Sequence, residues 1–309
     1  SDLLDQISNL DLGGRGVAAL AQAARERAGG SPVAAAAALL GGLPRGATVV
    51  ITTGLATRPW ISTAHIESDG PPGTMVLARV LAEALGLRLL LVGEEEVLPP
   101  LVRLAGEAGA VLRSRSYSLG GGAGEARALL LEEAPAALIS VERLGRNNRG
   151  VFHSSSGRDL SSGKATIDTL FEMAQTAGIP TLGVGDGGNE IGMGAIADTV
   201  RRVVPFAARC ACGCGGGIAA VTATEVLVTG GTSNWAACAI SDLVACSAGR
   251  PDLVHSGADE ERLLRFGVEL GLVNGLRGTV DPDVDAIPLA AHRGIADLLA
   301  TAALREVAD

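Results

Sequence analysis

Two acids and an amide stand inside a glycine-rich stretch: Asp186, Asn189 and Glu190 lie among Gly185, Gly187, Gly188, Gly192 and Gly194. Two carboxylates and an amide at this spacing suit three kinds of chemistry. They can hold Mg²⁺ or Mn²⁺ through oxygen atoms and water. They can bind a substrate ammonium group. One of them can take up a proton. A fourth reading involves no chemistry: Asn189 caps a tight strand-to-helix turn and Glu190 complements the helix N-terminus. A short apolar run precedes the stretch at 179–182, and helical composition follows at 195–203. Asp186 is therefore expected at the C-terminal end of a strand, with Gly187 and Gly188 in the turn and Asn189 and Glu190 opening a helix. In open α/β sheets ligands bind at that edge, and free N–H groups at a helix N-terminus would welcome an anion.

Other polar groups stand at predicted strand ends. The loop from Glu142 carries Arg143, Arg146, Asn147, Arg149, His153 and Arg158 in a chain whose net charge is -9. Arginine recognises carboxylate or phosphate through a two-donor fork. Thr53 follows the apolar run at 47–53, Asp69 and Gly70 precede a helix, and Ser233 and Asn234 follow the run at 225–229. The C-terminal strand ends of a parallel sheet share one edge, so these five loops can converge into one site.

The elements that must position them alternate. Strands are expected at 47–53, 87–92, 110–113, 136–141, 179–182 and 225–229. Helical runs separate them, two Ala-rich helices precede the first strand, and a mostly helical tail follows residue 259. The fold class is α/β, a mainly parallel sheet with helices on both faces, Rossmann-like in three layers. No linker or fixed-period repeat divides residues 1–309, which read as one domain.

Composition narrows the partners. Hydrophobic residues make up 47% of the chain and aromatics 2%, so the core must be built from Ala, Leu, Val and Ile. The acidic balance and the scarcity of stacking aromatics argue against nucleic acid and anionic membrane surfaces. No apolar run is long enough to span a bilayer, and no signal-peptide pattern opens the sequence. Five cysteines, an odd number, suit a reducing compartment, and a cytoplasmic location is expected. The C-x-C-x-C spacing of Cys210, Cys212 and Cys214 differs from the C-x₂₋₄-C pairs of zinc sites, so these three are expected to be small residues in a Gly/Cys-rich loop.

Four of these motifs together resemble the catalytic domain of the D-glutamate cyclase family. They are the run from Gly185 to Gly194, the run Glu67-Ser68-Asp69-Gly70-Pro71-Pro72-Gly73, the pair Glu142-Arg143 with Gly145-Arg146, and Ser233-Asn234-Trp235. The resemblance covers roughly residues 45–250, with helical extensions that add little, and it departs at Ala236 and Ala237, where the family carries glycines. It implies cyclisation of D-glutamate to 5-oxo-D-proline with loss of water, on a small amino-acid substrate and without an organic cofactor. In that reaction the amino group loses a proton and attacks the γ-carboxylate, whose charge must be neutralised. Arg146, Arg149, His153 or an ion held by Asp186 and Glu190 are the candidates for that. Asp186 or Glu190 is the expected base, and Gly187, Gly188 and Asn189 are expected to hold the α-carboxylate. A homo-oligomer is compatible with all of this.

Two rivals remain at this stage. A phosphoryl-transfer hydrolase of haloacid-dehalogenase type would use an acidic metal motif like that around Asp186, but Glu67 stands where its nucleophilic Asp belongs. A small-anion-binding module would explain the glycines and arginines and leave the paired acids without a role.

Overall fold

The computed structural model describes residues 1–58, 61, 62 and 65–306. Of the loop read between Gly54 and Ser68, residues 59, 60, 63 and 64 lie outside that set. The chain opens with three helices, α1 (Asp2–Ser8), α2 (Ala18–Ala28) and α3 (Pro32–Gly41). Strands and helices then alternate: β1 (Thr48–Thr52), α4 (Pro71–Glu83), β2 (Arg88–Gly93), α5 (Leu98–Ala108), β3 (Leu112–Ser116), α6 (Gly122–Glu133), β4 (Ala137–Val141), α7 (Asp168–Thr176), β5 (Thr181–Gly185), α8 (Ala197–Val203), β6 (Val226–Thr229) and α9 (Ser233–Ser247). Helices α10 (Gly257–Glu269) and α11 (Leu289–Glu306) close the chain.

All six strands pair in parallel, in the order β3-β2-β1-β4-β5-β6. The order reverses between β1 and β4, and a crevice forms at such a switch point. Strand side chains alternate between faces. Val49, Ile51, Leu89, Leu91, Ile139 and Val141 join the cluster under α3, α4, α5 and α9. Val50, Leu90, Val92 and Leu138 join the opposite cluster, with Leu129 of α6 and Leu170 and Phe171 of α7. Helices therefore cover both faces, as the alternation of elements requires.

The expected helix opening at Asn189 is not formed. The chain after β5 stays irregular to Met193, and α8 begins at Ala197 after one short 3₁₀ turn. The cause is local: Glu190 turns its carboxylate back onto the loop and accepts the amide N–H groups of Gly187 (2.6 Å), Gly188 (2.7 Å) and Asp186 (3.2 Å). Those donors are satisfied from within, so no helix terminus is left there for an anion.

Two helix N-termini do point at the crevice, and they cap each other. The Asp69 carboxylate accepts the N–H groups of Ser233 and Asn234, both at 2.9 Å, at the start of α9. The Asn234 side-chain oxygen accepts the N–H groups of Gly70 (3.0 Å) and Gly73 (2.9 Å) at the start of α4, and its amide donates to the Ser68 carbonyl at 3.0 Å. Gly70 sits at φ +95°, and a Cβ there would lie 2.5 Å from the Glu142 Cβ and 2.9 Å from the Thr53 hydroxyl. Only glycine lets β1, β4 and α4 approach so closely.

Asn234→Ala should therefore cost about 2–5 kcal/mol, because two buried donors and one acceptor lose their partner at once. The check is a urea midpoint shift at unchanged m-value, against the exposed Asn148→Ala within about 0.5 kcal/mol of wild type.

Candidate active site

A cavity of about 70 Å³ opens at the switch point, lined by Arg15, Glu67, Glu142, Asp186, Asn189, Glu190 and Asp285 together with Ser154 and Ser155. Among the described residues, carboxylate oxygens of Asp69, Asp186 and Asp285 lie within 4.8 Å of one another, as do those of Glu142, Asp186 and Glu190. With Glu67, six acids crowd this region; five are buried and Glu67 is half-buried.

Arg15 threads into the acids from the loop between α1 and α2. It donates to Asp186, pairs with Asp285 at 2.8 Å and donates to the Gly231 carbonyl at 2.6 Å. Its Nε is buried without a partner, as is the Thr53 hydroxyl. Burial works against the Arg15 charge, but Asp186, Asp285 and Asp69 outweigh it and raise its pKa. One guanidinium is outnumbered, and five of the six acids hold their protons more tightly than usual. Burial pushes Asp186 up to about 6, with Arg15 opposing and Glu190 adding. Burial and the neighbouring Asp186 push Asp285 up to about 6, again against Arg15. Burial and the surrounding charges also raise Glu67, Asp69 and Glu142 well above the ordinary carboxylate range. Carboxyls that titrate near neutrality can both take and give a proton at working pH.

The backbone is strained where two of these acids sit. Glu142 and Asp285 both adopt φ +50°, a left-handed conformation costing about 1–3 kcal/mol each. At Glu142 the turn out of β4 aims the carboxylate into the crevice, where Ser233 Oγ donates to it at 2.6 Å.

Of the residues expected from the sequence, the crevice gathers Thr53, Asp69, Gly70, Glu142, Asp186, Gly187, Gly188, Asn189, Glu190, Ser233 and Asn234. Asp69, Gly70 and Asn234 act there through the reciprocal caps, and the amides of Gly187 and Gly188 are spent on Glu190. The arginine loop goes elsewhere. Arg146 pairs with Asp168 at 2.7 Å and bonds Thr169. Arg149 is exposed, and Asn147 braces its own loop by donating to the Gly217 carbonyl at 2.7 Å. His153 faces three cysteines, with its carbonyl accepting from Asn189 at 2.8 Å. Arg146, Arg149 and His153, expected to neutralise a substrate carboxylate, thus have other partners or face solvent, and the guanidinium inside the crevice is that of Arg15.

Arg15, Glu67 and Asp285 were not among the expected site residues. Glu67 lay within a recognised motif. Arg15 and Asp285 come from the extensions thought to add little, and the signals were a Gly13-Gly14-Arg15-Gly16 turn and the acid-rich loop Asp281-Pro282-Asp283-Val284-Asp285.

Raised pKa values fix the sign of a stability effect. In the unfolded chain Asp186 and Asp285 titrate near 3.8. Their folded values lie higher, so their contribution is fully present below that value and is lost as pH rises through about 6. The wild type should lose stability between pH 4 and 7, by on the order of 3 kcal/mol for each such group. Asp285→Asn should flatten that slope, as read by melting temperatures across the range.

Comparison with known proteins gives the family. The profile described as D-glutamate cyclase-like, C-terminal, matches residues 4–300, so both extensions fall inside the match. The human protein named D-glutamate cyclase, mitochondrial, is 29% identical over 276 residues, covering 78% of this chain and 43% of the relative. The chain thus spans less than half the length of that relative. On the profile match across nearly its whole length, the chain belongs to the D-glutamate cyclase-like family.

Proposed function

We propose that the chain is a lyase that cyclises D-glutamate to 5-oxo-D-proline with release of water. The observation that carries this reading is the Asp186–Asp285 pair, two buried carboxyls near pKa 6 on either side of one guanidinium. The choice of D-glutamate follows the name of the human relative.

The reaction has a simple proton balance. The substrate ammonium loses two protons, the nitrogen bonds the carbon of the γ-carboxyl group, and one oxygen of that group leaves carrying both protons as water. A neutral amine cannot displace oxide from an ionised carboxylate, so that oxygen must be protonated as it departs. Asp186, ionised, takes the first proton from nitrogen, and Asp285, protonated, gives one to the leaving oxygen. The shared site then passes the second proton across. Glu67 and Glu142, held protonated by burial, offer oxygen acceptors to the N–H groups of the substrate nitrogen. Arg15 offers its unpartnered Nε to the carboxylate under attack, where negative charge builds. The acids also offer oxygen donors that fit a hard cation, around Asp186 with Glu142 and Glu190 or with Asp69 and Asp285. Bound there, Mg²⁺ or Mn²⁺ would polarise the γ-carboxylate.

Phosphoryl transfer of the haloacid-dehalogenase type has little support, because both oxygens of Asp69 are occupied by the amides that start α9.

The test is the formation of 5-oxo-D-proline from D-glutamate by the purified chain. Asp186→Asn should lower kcat by about 10²- to 10⁴-fold, the usual worth of a positioned acid or base. Arg15→Lys should lower kcat/KM by about 10- to 150-fold, since a charged hydrogen bond is worth roughly 1.5–3 kcal/mol. Arg146→Ala should stay within about twofold of wild type. For the wild type, kcat/KM should peak near pH 6, rising as the pair loses its first proton and falling as it loses the second, which leaves Asp285 with none to give. A wild-type chain that makes no 5-oxoproline, or one that tolerates Arg15→Lys but not Arg146→Ala, would overturn the reading.

A further inference from the structure

The loop that follows α8 runs Cys210-Ala211-Cys212-Gly213-Cys214. In an extended strand, cysteines two apart would be separated by about 6.8 Å, at roughly 3.4 Å per residue. Here the loop curls, with Gly213 at φ +86°, and the sulfurs converge. Cys210 Sγ lies 3.3 Å from Cys214 Sγ and 3.4 Å from Cys212 Sγ, and all three thiols are free. His153 arrives from the loop after β4, with Nε2 at 3.2 Å from Cys212 Sγ and 3.6 Å from Cys214 Sγ. All four donor atoms lie within 4.8 Å of one another.

The imidazole is set up as a ligand. It is 1% exposed, and Nδ1 sits 3.2 Å from the Val151 carbonyl. A carbonyl can only accept, so the proton is on Nδ1 and the Nε2 lone pair faces the three sulfurs. A backbone carbonyl bound to the far nitrogen is the usual support of a metal-bound histidine. The sulfur of Cys214 has supporting donors of its own, the Gly216 N–H and the Asn147 amide, both at 3.4 Å. A tetrahedron drawn with Zn–S of about 2.3 Å and Zn–N of about 2.0 Å has edges of roughly 3.5–3.8 Å. His153 Nε2 to Cys214 Sγ, at 3.6 Å, falls within that range, and the other three separations, at 3.2–3.4 Å, lie a few tenths of an ångström inside it. We propose that Cys210, Cys212, Cys214 and His153 form a closed Cys₃His site for a structural Zn²⁺ ion.

Three sulfurs and one imidazole select a thiophilic ion and leave no position for substrate. Binding expels the thiol protons to solvent, with no change of oxidation state. Cys212 is exposed, which gives the ion a way in. The site ties the loop after β4 to the loop after α8, and Ser154 and Ser155, next along the chain from His153, line the catalytic cavity. The ion would therefore brace one wall of the pocket from outside. This inference stands apart from the proposed reaction and needs no turnover to test.

The experiment is metal analysis of the whole chain purified under reducing conditions, then stripped and titrated with Zn²⁺ or Co²⁺. One equivalent of zinc per chain is expected, with a melting temperature several degrees above that of the stripped protein. Cobalt should give the intense visible bands of a tetrahedral ion and a thiolate-to-metal charge-transfer band. Cys212→Ser and Cys214→Ser should lose both the stoichiometric zinc and the cobalt bands while circular dichroism remains native. Cys246→Ala, a change at a buried thiol far from this loop in sequence, should keep both. Absence of tight zinc binding in the wild type, a cobalt spectrum of octahedral type, or zinc retained by the Cys212→Ser and Cys214→Ser variants would each overturn the proposal.

Discussion

The reciprocal capping of α4 and α9 is the contact on which the rest of the crevice depends. Asp69 closes the start of one helix and Asn234 closes the start of the other. Both helices lie on the same face of the sheet, and their N-termini leave several amide donors that must find partners away from water. Two side chains satisfy four of those donors, and in doing so lock the loop after β1 to the loop after β6. Glu142 is then held from two sides, by Ser233 from the start of α9 and by the close approach of Gly70. The interaction is structural, yet it decides where the chemically active carboxylates stand.

Charge is the second constraint. Six acids crowd one guanidinium, and for five of them burial and mutual repulsion raise the hold on protons. The strained backbone at Glu142 and Asp285 belongs to the same arrangement. Each of these features lowers the stability of the folded chain, and each is what an acid–base site near neutrality requires. The apolar core around the parallel sheet offsets them.

The parallel sheet was legible because its strands are short apolar runs bounded by glycine and polar loops, and β1, β2, β4 and β6 lie within about two residues of where pattern alone puts them. Asp186, Glu142 and Asp69 were legible for a related reason, since polar residues at predicted strand ends share an edge. The failures have physical causes. Glu190 looked like the first turn of a helix, but its side chain competed for the same amides and kept the loop irregular. The arginine loop looked like a carboxylate site because charge is visible in a sequence and pairing is not. Arg146 had Asp168 waiting 22 residues on. Arg15 and Asp285 were hidden by distance along the chain, since no local pattern announces a contact between opposite ends. The meeting of the three cysteines with His153 was hidden for the same reason, since the histidine lies 57 residues before the first of them.

The contact of Arg15 with Asp285 also bears on how the protein comes into being. Arg15 precedes the first strand and Asp285 follows the last, so their ion pair closes a loop that contains the whole sheet. Such closures form late, because the entropy of the intervening segment must be lost before the contact rewards it. Until the segment after α10 docks, Arg15 can meet Asp186 but not Asp285. The sheet can therefore assemble while the acidic crevice is still open and hydrated. The heightened hold on protons at Asp186 and Asp285 follows the docking of that segment, so it is a property of the finished fold and not of the sheet alone.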